Sequence, residues 1–464
     1  MALAIVFAAN ALLNLLLTLA LSHALPAEAY GVVVVHLSAA VLTTAAAFDW
    51  TRDAALRFYT LQMRQADPRL RATLDALILL LIVAALSFAA IVPGSAMLVR
   101  LPLVAFIAVS YALVEYLGVI ARCRGDFRTY GALVLLRQAV GFGSALPIAV
   151  TTESSEFVLL ALGAAAWPSI LLGAVLLHDR GSRPWHARLG LVGSFAIYAV
   201  PLTGAEALYQ LLSFAARSKV SVDESFAAAG AYALSFDIAF KVAVAVAAAA
   251  DAALLPRLVA AHEAGGEGSP GRLGQHLAFM ALIVAPLTAG LALAGPSFAA
   301  VALPRDLQPD FVTVLPLAAL GSLLYTAQAL LLRPCFQIAH RTMGMLAAAA
   351  VAAAVTLGCL VVPARVDAMH AAVAQVIGLA AGLVVLVLLA LCARLVRIPV
   401  IELGKVAVSV AVMTVAGLLA ARLPGSPLLV LVMIILSGGI AYVGTAVALD
   451  AVSVRSLLGV SRRS

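Results

Sequence analysis

A short charged stretch, FDWTRDAALRFYT at residues 48–60, carries the side chains best suited to chemistry in this sequence. Four charged residues fall within nine positions there: Asp49, Arg52, Asp53 and Arg57. On a helix, spacings of three and four bring these side chains to one face. Such a helix face suits one of two roles: a structural anchor whose charges neutralise one another, or the entrance of a pathway for phosphate. The second role fits arginine, because arginine binds phosphate through two parallel hydrogen bonds.

Glu115 and Arg137 are ionisable residues inside two sequential apolar segments. At about 1.5 Å of rise per residue, they lie roughly 9 and 12 Å from the same membrane surface. Ionisable groups at such depth face a polar cavity or a partner, because lipid does not solvate them. We therefore expect either a buried pair between Glu115 and Arg137, or contact of Arg137 with the substrate.

Asp237 and Lys241 lie four residues apart on a later apolar segment, with Lys241 near the middle of the membrane. Such a pair can neutralise itself, although an apolar pair would avoid the desolvation cost. Glu206, which precedes Tyr209 and Gln210, is a lone acid in another segment. It is the preferred candidate for coupling transport to a proton or cation.

Together these residues predict a polar pathway for an anion. The predicted substrate ligands are basic: Arg52, Arg57, Arg137 and Lys241. The predicted cavity acids, which keep the empty pathway nearly neutral and supply any ion coupling, are Asp53, Glu115, Glu206 and Asp237. Countercharge is needed because an isolated anion cannot be desolvated cheaply.

The elements that position these residues are membrane helices. The chain has 464 residues, of which 64% are hydrophobic and 11% charged, and its mean hydropathy is +1.11. A water-soluble globule is excluded, because such proteins are about half apolar and a quarter charged. Apolar windows predict an all-α polytopic membrane protein with fourteen transmembrane helices. Their approximate ranges are 2–22, 31–51, 73–93, 98–121, 129–150, 157–177, 189–216, 228–256, 276–303, 310–332, 342–363, 369–393, 403–421 and 427–450.

The distribution of basic residues predicts the orientation. With both termini in the cytoplasm, 21 of the 29 Lys and Arg residues lie on the cytoplasmic side and six on the other. Arg137 and Lys241 are left within the membrane. The net charge of +7 thus follows from topology, and we expect no nucleic-acid partner.

The sequence lacks the motifs of several function classes. No GxxxxGK[ST] supports ATP hydrolysis by this chain. No serine–histidine arrangement and no HExxH supports hydrolysis, and the four cysteines have no CxxC spacing. We expect no enzyme activity, no catalytic residues, no bound metal and no cofactor.

A short internal repeat suggests two halves. DAALRF at 53–58 and DAALLPR at 251–257 close the predicted second and eighth helices, which are equivalent if helices 1–6 and 7–12 are repeats. With a break in the polar linker HDRGSRPWHAR, the predicted division is an N-terminal lobe (1–180), a C-terminal lobe (181–396) and two added helices with a short cytoplasmic tail (397–464).

Several stretches resemble polysaccharide-exporting flippases of the multidrug/oligosaccharidyl-lipid/polysaccharide exporter superfamily. AEAYGVVVVHLSAAVLTTAAAFDWTRDAALRFY (27–59) is similar to the entry to their second helix, and YALVEYLGVIARCRGDFRTYGALVLLRQAVG (111–141) to their fourth-to-fifth helix passage. AYALSFDIAFKV (231–242) resembles the start of their eighth helix, and FQIAHRT (336–342) the loop before their eleventh.

The resemblance implies two pseudo-symmetric six-helix lobes around a central cavity, with two added C-terminal helices. It implies a flippase that moves an undecaprenyl-pyrophosphate-linked oligosaccharide across the bacterial inner membrane by alternating access. The implied partners are this lipid-linked glycan, membrane lipid, and a polysaccharide polymerase with its export machinery. The expected state is a monomer.

Two other functions share this fold: a cation-coupled multidrug antiporter and a lipid II flippase. The first span has Asn10 and Asn14 but no acid, and the cavity candidates lean basic, which disfavours the antiporter. A membrane-embedded glycan polymerase or ligase is also disfavoured, because no predicted outer loop exceeds about a dozen residues. The sugar, the coupling ion and the resting conformation stay open.

Overall fold

The structure is a computed structural model. It describes residues 2–60, 62–63, 67, 69–91, 99–179, 184–263, 269–339 and 341–453. All regular secondary structure in these ranges is helical. The predicted cytoplasmic tail from residue 454, and residues 180–183 of the predicted boundary between lobes, lie outside the described residues.

The prediction of an all-α polytopic membrane protein is confirmed. Thirteen candidate spans in the described residues are long and apolar enough to cross a membrane, and the apolar segment Ala9–Ala24 of the first helix precedes them. These fourteen segments correspond one to one to the predicted spans. Large apolar side chains such as Phe88, Ile197 and Val362 are exposed, with Val362 at 85%. Lipid-facing surfaces have this composition, because no water contacts them.

Packing divides the chain into two compact units, Met1–Gly230 and Ala231–Ser464. The first unit contains nine α-helices in its described part: α1 (Ala2–Ala24), α2 (Ala27–Ala47), α3 (Asp49–Phe58), α4 (Arg69–Ile91), α5 (Leu101–Cys123), α6 (Phe127–Thr152), α7 (Ser155–Ala164), α8 (Trp167–Leu176) and α9 (Gly190–Asp223). A short 3₁₀ turn, Pro184–His186, precedes α9, and α10 (Phe226–Glu263) begins in this unit.

Helix α5 lies at the centre of the first unit. It packs against α2, α3, α4, α6, α7 and α8, and α9 packs on α2 and α3. Its buried face includes Ile107, Tyr116 and Ile120, each at most 3% exposed. Since α9 is the predicted seventh helix, the first packing unit extends beyond the predicted N-terminal lobe. A packing unit and a sequence repeat are different divisions, so the predicted lobes stay a prediction.

The predicted sixth span is interrupted. Helix α7 ends at Ala164 and α8 begins at Trp167, with Pro168 in the first turn of α8. Proline has no backbone N–H and its ring clashes with the preceding turn, so it favours a helix start over a helix interior. Pro147 and Pro201 instead lie inside α6 and α9.

The second unit continues from α10. Its further helices are α11 (Ser269–Ala302), α12 (Gln308–Thr326), α13 (Arg333–Ile338), α14 (Met343–Val361), α15 (Ala368–Cys392), α16 (Val400–Ala421) and α17 (Pro427–Ala448). A 3₁₀ turn precedes α12, a π turn follows it at Ala327–Leu331, and a 3₁₀ turn at Ala451–Ser453 closes the described chain. Helices α14 and α15 pack as a pair, as do α16 and α17, and both α16 and α17 pack on α11.

Small residues allow these membrane helices to approach closely. Gly378 and Gly382, four residues apart on α15, face the Ala348 and Ala352 turns of α14, and a Cβ at Gly382 would meet the Ala348 carbonyl oxygen at 2.9 Å. Helix association in lipid depends on such close backbone contact, because apolar burial gives little advantage there. The abundant alanine of this chain therefore contributes to packing.

Candidate functional site

The charged stretch at residues 49–57 forms the separate short helix α3. Helix α2 ends at Ala47, and α3 begins at Asp49 after Phe48. The Thr51 hydroxyl donates to the Phe48 carbonyl at 2.7 Å and so links the first turn of α3 to the residue between the two helices. Ala54 and Ala55 are fully buried on the other face. The charged face of α3 is thereby fixed toward α5 and α9.

Arg52 lies at the centre of a cluster of carboxylates. Its Nη1 is 3.0 Å from Glu115 Oε2 on α5 and 3.4 Å from Asp49 Oδ1, and its Nε is 3.6 Å from Asp53 Oδ1. Asp49 and Asp53 are 7% and 8% exposed, whereas the Glu115 side chain is 42% exposed. Three acids thus contact one arginine.

Helix α9 adds a fourth acid and two neutral hydrogen-bonding groups. The Thr203 hydroxyl is 3.3 Å from Asp53 Oδ2, and the Gln210 amide donates to Glu206 Oε1 at 3.0 Å. Glu206 is also close enough to interact electrostatically with both Asp49 and Arg52. We call Asp49, Arg52, Asp53, Glu115 and Glu206 the Arg52 cluster.

This environment brings the pKa of Asp49 close to neutral pH. Burial raises the pKa of Asp49 to about 7, against the opposing charge of Arg52, and the carboxylates of Glu115, Asp53 and Glu206 raise it further. Burial alone would lower the pKa of Arg52, but the four carboxylates outweigh burial and raise it. The cluster therefore holds a permanent cation and an acid that exchanges its proton near neutral pH.

The expected pair between Glu115 and Arg137 does not form. Glu115 binds Arg52, while the Arg137 guanidinium lies over the Tyr111 ring, 4.3 Å from its centroid. Tyr111 and Glu115 are one turn apart on α5, so that helix presents one partner to each arginine. The alternative of a Glu115–Arg137 pair was wrong because it assumed that neighbouring membrane spans supply each other's partners. In the structure, Glu115 pairs with Arg52 of α3 instead.

Arg57 is arranged like Arg137. Its guanidinium lies 5.6 Å from the centroid of the Tyr198 ring, and the residue is exposed. A cation over an aromatic face is stabilised by the ring and leaves its in-plane N–H donors unused. Within the described residues, neither arginine has a hydrogen-bonded acceptor. Both can still receive an oxyanion.

The second unit holds the other two predicted residues. Asp237 and Lys241 are partly buried and lie one turn apart on α10, and each interacts with another group. In the same unit, Asp251 Oδ1 lies 3.5 Å from His276 Nε2. The substrate and coupling roles of Lys241 and Asp237 stay predictions.

The structure thus brings together Arg52 with the predicted acids Asp53, Glu115 and Glu206. Sequence reasoning missed the aromatic partners Tyr111 and Tyr198. The signal for Tyr111 was present, because it precedes Glu115 by four residues and so shares its helical face. No group of His, Cys, Asp or Glu residues in the described part of the chain is arranged to hold a metal ion.

Comparison with known proteins identifies the fold. No protein-family model and no curated protein matches the sequence. Among solved structures, the lipid II flippase MurJ in an inward closed conformation superposes with a TM-score of 0.74 at 12% identity, covering 98% of this chain and 99% of that chain. An inward-facing multidrug resistance MATE transporter of the MOP superfamily gives 0.60 at 13% identity, covering 84% and 98%.

A third structure is a MOP superfamily transporter from Pyrococcus furiosus, described as having a binding pocket of reversed polarity. Its TM-score is 0.54 at 14% identity, and the match covers 85% of this chain and 94% of that chain. These similarities show that the chain has the fold of MOP superfamily transporters. At such identities they establish the fold alone.

Proposed function

We propose that this chain is a flippase that moves a pyrophosphate-linked oligosaccharide on a polyprenyl carrier across the bacterial inner membrane by alternating access. The observation that carries the proposal is the arrangement of Arg137 over Tyr111, with its hydrogen-bond donors unoccupied. Arginine is suited to bidentate recognition of phosphate, and a ring beneath it fixes the guanidinium plane without using those donors.

Arg57 supports the same reading. It lies on the exposed face of α3 with its guanidinium over Tyr198, five residues from Arg52. Arg52 differs, since three carboxylates already surround it. We therefore assign phosphate contact to Arg57 and Arg137. Lys241 of α10 stays the further substrate contact that the sequence predicts. Arg52 holds the acids of its cluster in place.

The extent of the fold match also supports a flippase of a lipid-linked substrate. The MurJ structure and this chain cover each other almost completely, whereas the MATE structure leaves about a sixth of this chain unmatched. Export of a lipid-linked glycan requires binding and reorientation and no covalent step. The polyprenyl tail would stay in lipid while the charged and sugar groups cross.

A second candidate, a cation-coupled small-molecule antiporter, is favoured by the Arg52 cluster itself. Four acids and one arginine form a site that is acidic, in contrast to the basic site expected from sequence. Such a site attracts protons and cations. In the flippase the same cluster would couple transport to a proton through Asp49.

A reconstitution experiment separates these functions. Purified protein in proteoliposomes would be given a lipid-linked oligosaccharide, lipid II or tetraphenylphosphonium, with and without a proton gradient. The proposal expects protection of the oligosaccharide lipid from a membrane-impermeant oxidant as it leaves the outer leaflet. Movement of lipid II alone would favour the lipid II flippase. Movement of the organic cation alone would contradict the proposal and favour the antiporter.

A further inference from the structure

A separate cavity, lined by both polar and apolar side chains, lies at the end of the first unit where α4 begins and α8 ends. Its volume is about 250 Å³, and it opens to the surface. The polar lining residues come from α4, α5 and the segment after α8: Arg71, Asp75, Tyr116, His178 and Asp179. Ala174 of α8 is exposed and lies on the rim. No residue of the Arg52 cluster lines this cavity.

Arg71 is the central group of this cavity. It is only 8% exposed, its Nε donates to Asp75 Oδ1 at 2.8 Å, and its guanidinium lies 5.3 Å from the centroid of the Tyr116 ring. Its Nη1 is buried and has no hydrogen-bond partner in the described part of the chain. A buried, charged donor without an acceptor is costly, so this nitrogen requires an oxygen ligand.

The acids of the cavity do not meet this requirement. Asp75 Oδ1 already accepts from Arg71 and, at 2.7 Å, from the Tyr116 hydroxyl. Asp179 Oδ2 is 2.8 Å from both Arg124 Nη2 and the Tyr59 hydroxyl. Each aspartate is thus balanced by an arginine.

The dimensions and position of the cavity restrict its ligand. A water molecule occupies about 30 Å³, so the space exceeds one bridging water. It is smaller than the roughly 300–1,000 Å³ of pockets that enclose a drug-sized molecule. The exposed His178 adds a further nitrogen at the mouth. A pocket between membrane helices that holds an arginine with an unpaired donor suits an anionic headgroup at the cytoplasmic surface, and the topology predicted above puts this end there.

We propose that this cavity binds a phosphate group through Arg71, either the headgroup phosphate of an anionic phospholipid or free phosphate. The phosphate oxygens would accept from the Arg71 guanidinium, with the exposed His178 beside it. Such a site would hold α4, α5 and α8 together at the membrane surface. It is independent of the flippase proposal, because it uses none of the residues assigned to transport.

Two matched substitutions on α8 test the proposal without altering Arg71. Ala174→Trp fills the mouth of the cavity, whereas Val175→Trp places the same ring on the adjacent position, which is 76% exposed and does not line the cavity. The thermal stability of the full-length protein would be measured in phosphatidylcholine nanodiscs with and without phosphatidylglycerol, and in detergent with and without inorganic phosphate.

We expect phosphatidylglycerol or phosphate to raise the melting temperature of the wild type and of Val175→Trp, and to have no effect on Ala174→Trp. An effect of the lipid alone identifies the headgroup as the source. An effect of inorganic phosphate as well identifies the phosphate group by itself. No stabilisation of the wild type, or equal stabilisation of both tryptophan variants, would overturn the proposal.

A charge-keeping substitution gives a second readout. Arg71→Lys retains the positive charge. It loses the planar guanidinium, whose separate nitrogens can bind a phosphate oxygen and Asp75 at the same time. We expect the concentration of phosphatidylglycerol needed for half-maximal stabilisation to rise about tenfold or more, since charge-assisted hydrogen bonds are the strong ones. An unchanged concentration dependence would exclude Arg71 as the ligand.

Discussion

Removal of the Arg52 side chain should destabilise the protein in a way that depends on Asp49. In Arg52→Gln, the buried Asp49 and Asp53 lose their cation, and loss of one partner of a buried pair costs about 3–5 kcal/mol. The ion pair between Arg52 and Glu115 is partly exposed, so it contributes only about 0–1 kcal/mol to the free energy of unfolding. The Arg52 side chain itself is 27% exposed, so we take the lower end, about 3 kcal/mol in total.

A double-mutant cycle isolates the part of this cost that comes from Asp49. Asp49→Asn removes the buried charge, so Arg52→Gln in that background should lower the free energy of unfolding by only about 1–2 kcal/mol. The difference from the cost in the wild type, the coupling energy between Arg52 and Asp49, is then also about 1–2 kcal/mol. The matched control is Arg100→Gln, which removes an arginine whose side chain is 64% exposed and paired with Glu156 at 2.5 Å. It should cost at most about 1 kcal/mol.

The pH dependence of Arg52→Gln follows from the pKa of Asp49. That pKa is about 7 in the folded wild type and 3.8 as an ordinary value, so the folded state holds a proton that the unfolded state has lost. Stability therefore falls as pH rises between these values. Without Arg52, which opposes the upward shift, the pKa of Asp49 rises and the window extends above pH 7.

Free energies of unfolding in mixed detergent micelles, measured at about pH 5.5 and about pH 8.5, test this account. The variant should lose more stability relative to wild type at the higher pH, and Asp49→Asn should remove that difference. Costs of Arg52→Gln and Asp49→Asn that add to within about 0.5 kcal/mol would refute the coupling.

Three further predictions concern coupling, substrate contact and topology. Glu206→Gln should lower the pKa of Asp49 from about 7, because one carboxylate that raises it is removed, so the acid limb of the transport–pH profile should move to lower pH; an unmoved profile would exclude Glu206 from coupling. Lys241→Ala should reduce glycan export while the protein stays folded and inserted, and normal export would exclude a substrate contact. Reporter fusions should read cytoplasmic after Arg71 and periplasmic near Glu153, and the reverse result would invert the predicted topology.

The sequence was sufficient to predict the membrane helices because each span depends on its own composition. Lipid requires about twenty apolar residues per helix wherever the helix packs. The break between α7 and α8 at Ala165 and Ala166 was missed because that stretch is equally apolar on both sides. Pro168 was a local signal for it.

The site was only partly predictable, since its contacts join distant parts of the chain. Arg52 with Asp49 and Asp53 follows from spacing on one helix. The pairing of Arg52 with Glu115 depends on how α3 packs against α5. The hydropathy pattern of the sequence does not determine this packing. The place of Arg137 over Tyr111 likewise depends on the rotation of α6 about its axis. Pairing between helices therefore requires the structure.

The central claim is that an arginine on an aromatic ring receives the phosphate of a lipid-linked glycan. The most direct test compares transfer of that glycolipid across proteoliposomes by wild type, Arg137→Ala, Arg137→Lys and the control Arg100→Ala. We expect Arg137→Ala to lose at least about tenfold in rate, Arg137→Lys to retain partial activity because it keeps charge without the fork, and Arg100→Ala to match wild type. Transfer by Arg137→Ala at the wild-type rate and concentration dependence would contradict the account.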